Sequence, residues 1–238
     1  MIKGAVVSDL HMFAGRTRAE YVLPHLHGAL SECDLLVLNG DIFDLRWTTL
    51  SSVPATIKEA VAWLEDLTLQ FPHCRIHYVQ GNHDCSQSFS AALDTLVTRA
   101  PGFSWHADCF YLENAAFLHG DCVHRKVSAR GLSAYRKPWK DVRKRGRAAN
   151  ACYRALMRSG IVEAAPRLYF RPERMARRIM SYLDRNDHAA ASAVEHVFVG
   201  HTHVPFHDFS YGGRRFHNTG CALFRHRFNL IRFELGGA

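Results

Sequence analysis

The chain has 238 residues, of which 47% are hydrophobic and 22% charged, a composition that suits one compact domain with a sizeable core. With only 16 Gly and 8 Pro it is neither collagen-like nor disordered, and no apolar run approaches the roughly 20 residues that span a bilayer. The net charge of +8 is uneven: residues 121–186 hold 18 Lys and Arg against 5 Asp and Glu, and the remainder 12 against 17. A basic stretch set into an acidic body predicts an anionic partner for that stretch.

The first element is a strand over Ile2–Ser8 that runs into Asp9-Leu10-His11. No basic, then apolar, leader precedes it, which predicts a cytoplasmic protein. Seven scattered cysteines, never in CxxC spacing, predict reduced thiols rather than a disulfide framework or a zinc ribbon. Helical patterning over 18–32 leads to a second strand, Asp34–Leu38, ending at Asn39-Gly40-Asp41 with Asp44 close behind. A helix over 54–70, opened by Pro54, precedes the strand Arg75–Gln80 and the cluster Gly81-Asn82-His83-Asp84. A helix over 87–98 follows, then the strand Ala115–Leu118, which ends at His119-Gly120-Asp121. From 122 to 190 the pattern becomes basic and amphipathic, punctuated by Pro138, Pro166 and Pro172, and predicts two or more inserted helices forming a cap. The strand His196–Val199 then ends at Gly200-His201-Thr202-His203, and alternation over Phe206–Phe209, Arg214–Asn218 and Phe228–Glu234 predicts an antiparallel finish. The whole reads as a single α/β domain, 1–238, carrying the 122–190 insert.

Five strand ends thus carry only Asp, Asn and His. One such residue is an ordinary turn former; five in succession, at the strand ends where α/β sheets place ligands, point to a site. Carboxylate, amide and imidazole together suit Mn²⁺, Fe²⁺ or Zn²⁺, with Mn²⁺ the first expectation, and the lack of cysteine in every cluster argues against a structural zinc. Seven ligands exceed what one ion with open positions needs, whereas two ions sharing a carboxylate would use them all and would suit phosphoryl chemistry.

The blocks Asp9-Leu10-His11, Gly40-Asp41-Ile42-Phe43-Asp44, Gly81-Asn82-His83-Asp84, His119-Gly120-Asp121 and Gly200-His201-Thr202-His203 resemble, in order and form, those of the calcineurin-like metallophosphoesterases. The resemblance implies a four-layer αββα sandwich and a dinuclear metal site. It implies that Asp9, His11 and His203 hold one ion, that Asn82, His119 and His201 hold the other, and that Asp41 bridges them. His83 would face the phosphate and assist the leaving oxygen, with Asp84 orienting its ring. Asp44 and Asp121 are left between structural and functional roles, and the remaining histidines are read as surface or packing residues.

Size and insert position are similar to those of the UDP-2,3-diacylglucosamine diphosphatases. That branch implies a nucleotide-linked lipid substrate cleaved to UMP and a lipid sugar 1-phosphate, with the basic insert against an anionic membrane surface. The chain departs from its best-known members in carrying His83 where they have Arg. An alternative within the superfamily is a phosphodiesterase or nuclease whose insert, through Lys137, Lys140, Arg143, Lys144, Arg145 and Arg147, grips nucleic acid.

Overall fold

The computed structural model describes residues 1–124, 129–158, 169–224 and 226–236. Pro166 and the middle of the predicted cap lie outside the described residues. The first sheet has the order β10-β1-β2-β3-β4, with β1 (Ile2–Val7), β2 (Leu35–Asn39), β3 (Arg75–Val79) and β4 (Phe103–His106) parallel, and β10 (Ile231–Leu235) antiparallel to β1. The second has the order β5-β6-β7-β9-β8, built from β5 (Cys109–Leu112), β6 (Ala115–Leu118), β7 (His196–Val199), β8 (Phe206–Tyr211) and β9 (Arg214–Asn218).

Alternation along the strands makes three cores, and three cores make four layers. Ala5, Val7, Leu36, Leu38, Ile76 and Tyr78 face α1 (Ala19–Leu30), α2 (Val53–Gln70) and α3 (Gln87–Arg99). Their neighbours Val6, Leu35, Val37 and Val79 point the other way, into Phe110, Phe117 and Phe198 of the second sheet. On that sheet's far side Ala116, Leu118, Val197, Val199 and Phe216 pack beneath α6 (Pro172–Asn186). Buried on both faces, β1 and β2 therefore read as near-continuous apolar runs. The helices start where side chains cap them: Ser52 accepts the amide of Ala55 and Ser86 that of Phe89, each at 3.2 Å.

Two expectations change here. The short strands β4 and β5 were not predicted, and the 122–190 stretch is not all cap. Met175, Ala176, Ile179, Tyr182 and Leu183 of α6 are buried against the second sheet, so this basic helix is the sandwich's fourth layer and α7 (His188–Ser192) continues it. The cap proper comprises α4 (Ala129–Lys140) and α5 (Arg147–Arg158) among the described residues.

Two histidine pairs are built into the sandwich. His77 Nδ1 lies 3.0 Å from His106 Nε2, and His196 Nδ1 3.1 Å from His217 Nε2. Burial, with the neighbouring rings adding to it, pushes His77 and His217 down to about 4. The unfolded chain takes up protons from about pH 6.5 downward while these folded groups do not. Their contribution is therefore intact above that pH and is lost as pH falls toward 4. Thermal melts in EDTA should show Tm dropping from pH 7 to pH 5, and His77→Gln with His217→Gln should flatten that drop.

Candidate metal centre

All five polar clusters lie at one end of the sandwich, where β1, β2 and β3 of one sheet meet β6 and β7 of the other. Asn39, the last residue of β2, ties the sheets together there. Its amide donates to the carbonyls of Leu118 and Phe198, both at 3.0 Å. The chain then bends sharply at the chemistry-bearing positions. Asp9, His11, Asp41, His201 and His203 all have φ between 46° and 64°, a region costly for non-glycine residues that persists where the surroundings enforce it. Glycines make room for the crowding: a Cβ at Gly81 would collide with the Asp41 carboxylate, and one at Gly200 with that of Asp9.

Each carboxylate has one oxygen fixed by protein donors and the other left for the cluster. Asp9 Oδ2 accepts from Ser8 Oγ at 2.5 Å and from the His201 amide at 2.9 Å. Its Oδ1 lies 3.3 Å from His203 Nε2 and 3.9 Å from His11 Nε2. Asp41 Oδ1 accepts the His83 amide at 2.7 Å, while Oδ2 stands 3.3 Å from His119 Nε2 and 4.0 Å from His11 Nε2. One oxygen of Asp41 thus belongs to two groups of ligand atoms. In the second group His119 Nε2 is 3.3 Å from His201 Nδ1. Asp9 Oδ1, both ring nitrogens of His11 and Asn82 Oδ1 are buried with no hydrogen-bond partner among the described residues. Unpaired buried donors and acceptors are unfavourable, and a cation on each group would satisfy them.

The imidazoles are oriented for that task from behind. His119 Nδ1 is 3.2 Å from the Asn39 carbonyl, which leaves Nε2 facing the cluster. His201 Nε2 is 2.6 Å from His124 Nε2, which leaves Nδ1. Such outer contacts fix tautomer and ring direction.

Protonation states agree. Burial opposes ionisation of Asp9 and Asp41, but the surrounding imidazoles outweigh it and hold both below the usual carboxylate range. Burial pushes His11 down to about 4 and His201 well below its ordinary value. His119 goes the other way: Asp41 and Asp9 overcome burial and raise it to about 10, so a cation there displaces a proton.

The calcineurin-like phosphoesterase family model matches residues 2–205. The chain belongs to the calcineurin-like phosphoesterases. It shares that family's metal-dependent hydrolase chemistry. No curated protein matches it in sequence. Among solved structures it is similar to the phosphoesterase Yfce from E. coli (17% identity, covering 98% of this chain and 88% of that one, TM-score 0.47). It is also similar to phosphopantetheinyl hydrolase (PptH) from Mycobacterium tuberculosis (16%, 92% and 90%, 0.47), and to a dimetal phosphatase from Danio rerio (12%, 98% and 92%, 0.45).

In this phosphoesterase the fold brings Asp9, His11, Asp41, His119, His201 and His203 together, with the buried Asn82 on the loop between β3 and α3. His83 stands at the mouth. Its ring is edge-on to His11 at 4.8 Å and tilted against Trp139 of α4 at 4.5 Å.

The carboxylate beside His83 is Asp44, with Oδ2 at 3.2 Å from Nδ1. It is not Asp84, which faces away and is spent on structure, accepting from the amides of Ile42 (2.9 Å) and Gly81 (2.7 Å) and from Tyr78 Oη (2.6 Å). Adjacency in sequence favoured Asp84; the bend after Asn82 turns the two neighbours in opposite directions. Cys221 is a second correction. Its thiol donates to the Asp9 carbonyl at 3.4 Å and lies near His11 and His203, so cysteine is not absent from the cluster.

His124, expected from the sequence to be a surface or packing residue, and Arg136, one of many basic residues there, also belong to the site's frame. The signal for Arg136 was its place beside Tyr135 and Trp139 on one helix. Burial opposes protonation of His83, yet Asp44 and Asp41 more than offset it and raise its pKa. Removing the nearer charge should reverse this. Asp44→Asn is expected to move the alkaline limb of the kcat/KM profile down by about one pH unit, whereas Asp84→Asn leaves the limb in place.

Proposed function

We propose that this phosphoesterase uses a dinuclear centre to cleave a phosphoester or diphosphate bond of an anionic substrate held beneath α4 and α5. Asp9, His11, His203 and Asp41 would hold one ion, and Asp41, Asn82, His119 and His201 the other. Two divalent ions, Mn²⁺ foremost, would supply polarisation of the phosphoryl group and acidification of a nucleophilic water. The protein does the rest. Asp41 and Asp9 keep their charges because imidazoles surround them. His83, kept protonated by Asp44 and steadied by Trp139, delivers a proton to the leaving oxygen. The observation that carries this reading is the pairing of partnerless ligand atoms with His83 at their rim.

For the substrate, a nucleotide-linked lipid such as UDP-2,3-diacylglucosamine fits a site roofed by basic amphipathic helices. Arg and Lys would meet the diphosphate and an anionic membrane surface, at the inner face of a cytoplasmic membrane. The competing phosphodiesterase or nuclease reading is favoured by one observation. Among the described residues, the cavity beside the site is lined by cations and hydroxyl groups with Trp47 and Tyr153, rings that suit a base, and by no leucine, isoleucine or valine to receive acyl chains.

The test is mass spectrometry of products from Mn²⁺-loaded protein with UDP-2,3-diacylglucosamine in mixed micelles. UMP and a lipid sugar 1-phosphate, absent with His119→Ala, support the lipid substrate. Hydrolysis of bis(4-nitrophenyl) phosphate without turnover of the lipid would reject it and favour nucleotides or nucleic acid.

A further inference from the structure

Next to the metal centre lies a cavity of about 640 Å³ between the loop after β1, the loop after β2 and the cap. Among the described residues five cations line it, Arg16, Lys144, Arg145, Arg147 and Arg154, and no carboxylate does. Like charges gathered in one concavity repel each other unless an anion enters. Four of them come from the cap. Arg147 and Arg154, with Asn150 and Ala151 between, form one face of α5, whose first turn adds the positive end of its dipole.

Arg16 is the telling residue. It is 3% exposed, and one terminal nitrogen donates to Asp44 Oδ2 at 2.7 Å. Its Nε and its other terminal nitrogen are buried without a hydrogen-bond partner among the described residues. A guanidinium with two unmet donors is strongly destabilising by itself and is the natural complement of a phosphate. Tyr153 holds it in plane, its ring 4.3 Å from the guanidinium carbon and stacked on Trp47 at 4.4 Å. The remaining tie leads to the reaction: the same Asp44 oxygen lies 3.2 Å from His83 Nδ1 and 3.5 Å from His11 Nδ1. One carboxylate therefore separates the floor of this cavity from the metal centre.

We propose that the cavity is a second phosphate subsite, filled by a phosphate group of the substrate other than the one hydrolysed. This rests on the hydrolase reading above and narrows it to substrates carrying at least two phosphate groups. The volume is ample for a phosphate with part of the molecule attached.

The test uses two esters with the same scissile bond, the 4-nitrophenyl ester of thymidine 5′-phosphate and the same ester bearing a 3′-phosphate. Arg16 is left in place because it also holds Asp44; Arg147→Gln with Arg154→Gln changes two exposed side chains of the lining. The metal-loaded protein should show a KM about tenfold lower for the doubly phosphorylated ester, and the double variant should lose that difference. Equal KM values for the two esters in the unaltered protein, or a difference that survives in the double variant, would overturn the proposal. If neither ester turns over, it is the hydrolase reading that has failed. Inorganic phosphate titrated into the metal-loaded protein would also reach the metal centre, so the cavity is read from the difference between the two proteins: loss of one phosphate-binding event in the double variant supports a phosphate subsite, and identical isotherms overturn it. Equal KM values together with phosphate binding that the double variant loses would assign the cavity to free phosphate and reject the substrate assignment.

Discussion

Asp41→Asn should lower kcat/KM by about 10³-fold or more and bring the metal content, measured by plasma mass spectrometry, below two ions per chain. The substitution leaves an amide oxygen to accept the His83 amide, now made by Oδ1 at 2.7 Å, so the loop keeps its shape. What disappears is the second charged oxygen, the one facing His119 and His11 together. Among the described residues, Asp41 is the carboxylate that belongs to both groups of ligand atoms, the one with His11 and the one with His119 and His201. His83→Ala is the instructive contrast. It should keep both ions and lose turnover, because its ring faces the mouth and its amide bond to Asp41 survives. Two ions and full activity in Asp41→Asn would remove Asp41 from the centre.

Arg136→Met should destabilise the protein by about 3–5 kcal/mol in urea unfolding, more than any surface charge of the cap could. Arg136 is 4% exposed. It grips Asp121 with two nitrogens, at 2.7 and 2.9 Å, and donates to the carbonyls of Gln80 (2.9 Å) and Ala107 (2.5 Å) and to Asp108 (3.2 Å). A cap helix is thereby anchored to the end of β3, the turn between β4 and β5, and the end of β6. Met fills the space but abandons the buried Asp121 carboxylate, and that unpaired charge is the main loss. Adding Asp121→Leu should recover most of it. Arg136→Lys should rescue little, since one ammonium cannot reproduce the fork. The same change should reduce turnover, because α4 also carries Trp139 to His83. A loss below about 1 kcal/mol would show that the network contributes little net stability.

The parts of this architecture that could be read from the sequence are those where burial and polarity alternate cleanly. β1, β2, β3, β6 and β7 run into Asp, Asn and His, residue types able to ligate cations, and α2 and α3 begin at capping serines. β4 and β5 escaped because each has four residues, mixing Ser104, Trp105 and His106 with Cys109 and Tyr111, too short and too polar for a period to emerge. α6 reads as cap in the sequence because Arg174, Arg177, Arg178 and Arg185 dominate its composition, while its place in the fold is set by the buried Met175, Ile179 and Leu183 seam. The partner of His83 was misread for a different reason. Asp84 is its chain neighbour, but Asp44, 39 positions away, is its neighbour in space, and a sequence gives no direction to a side chain in a tight bend. Arg16 had no block around it, and nothing short of its burial reveals two unmet donors.

Asn39 and the amide bond from His201 to Asp9 place the ligand cluster on the seam between the two sheets. Asp9 and His201 stand 192 positions apart in the chain, and Asp41 meets His119 across the same seam. The cluster is thus among the most non-local features of the molecule, and non-local contacts form late because loop closure must precede them. Neither sheet can assemble a full ligand set alone. In refolding, high-affinity metal capture should therefore lag behind helix formation and coincide with the docking of one sheet on the other. A metal-sensitive fluorophore would make the ion itself the clock for that last step.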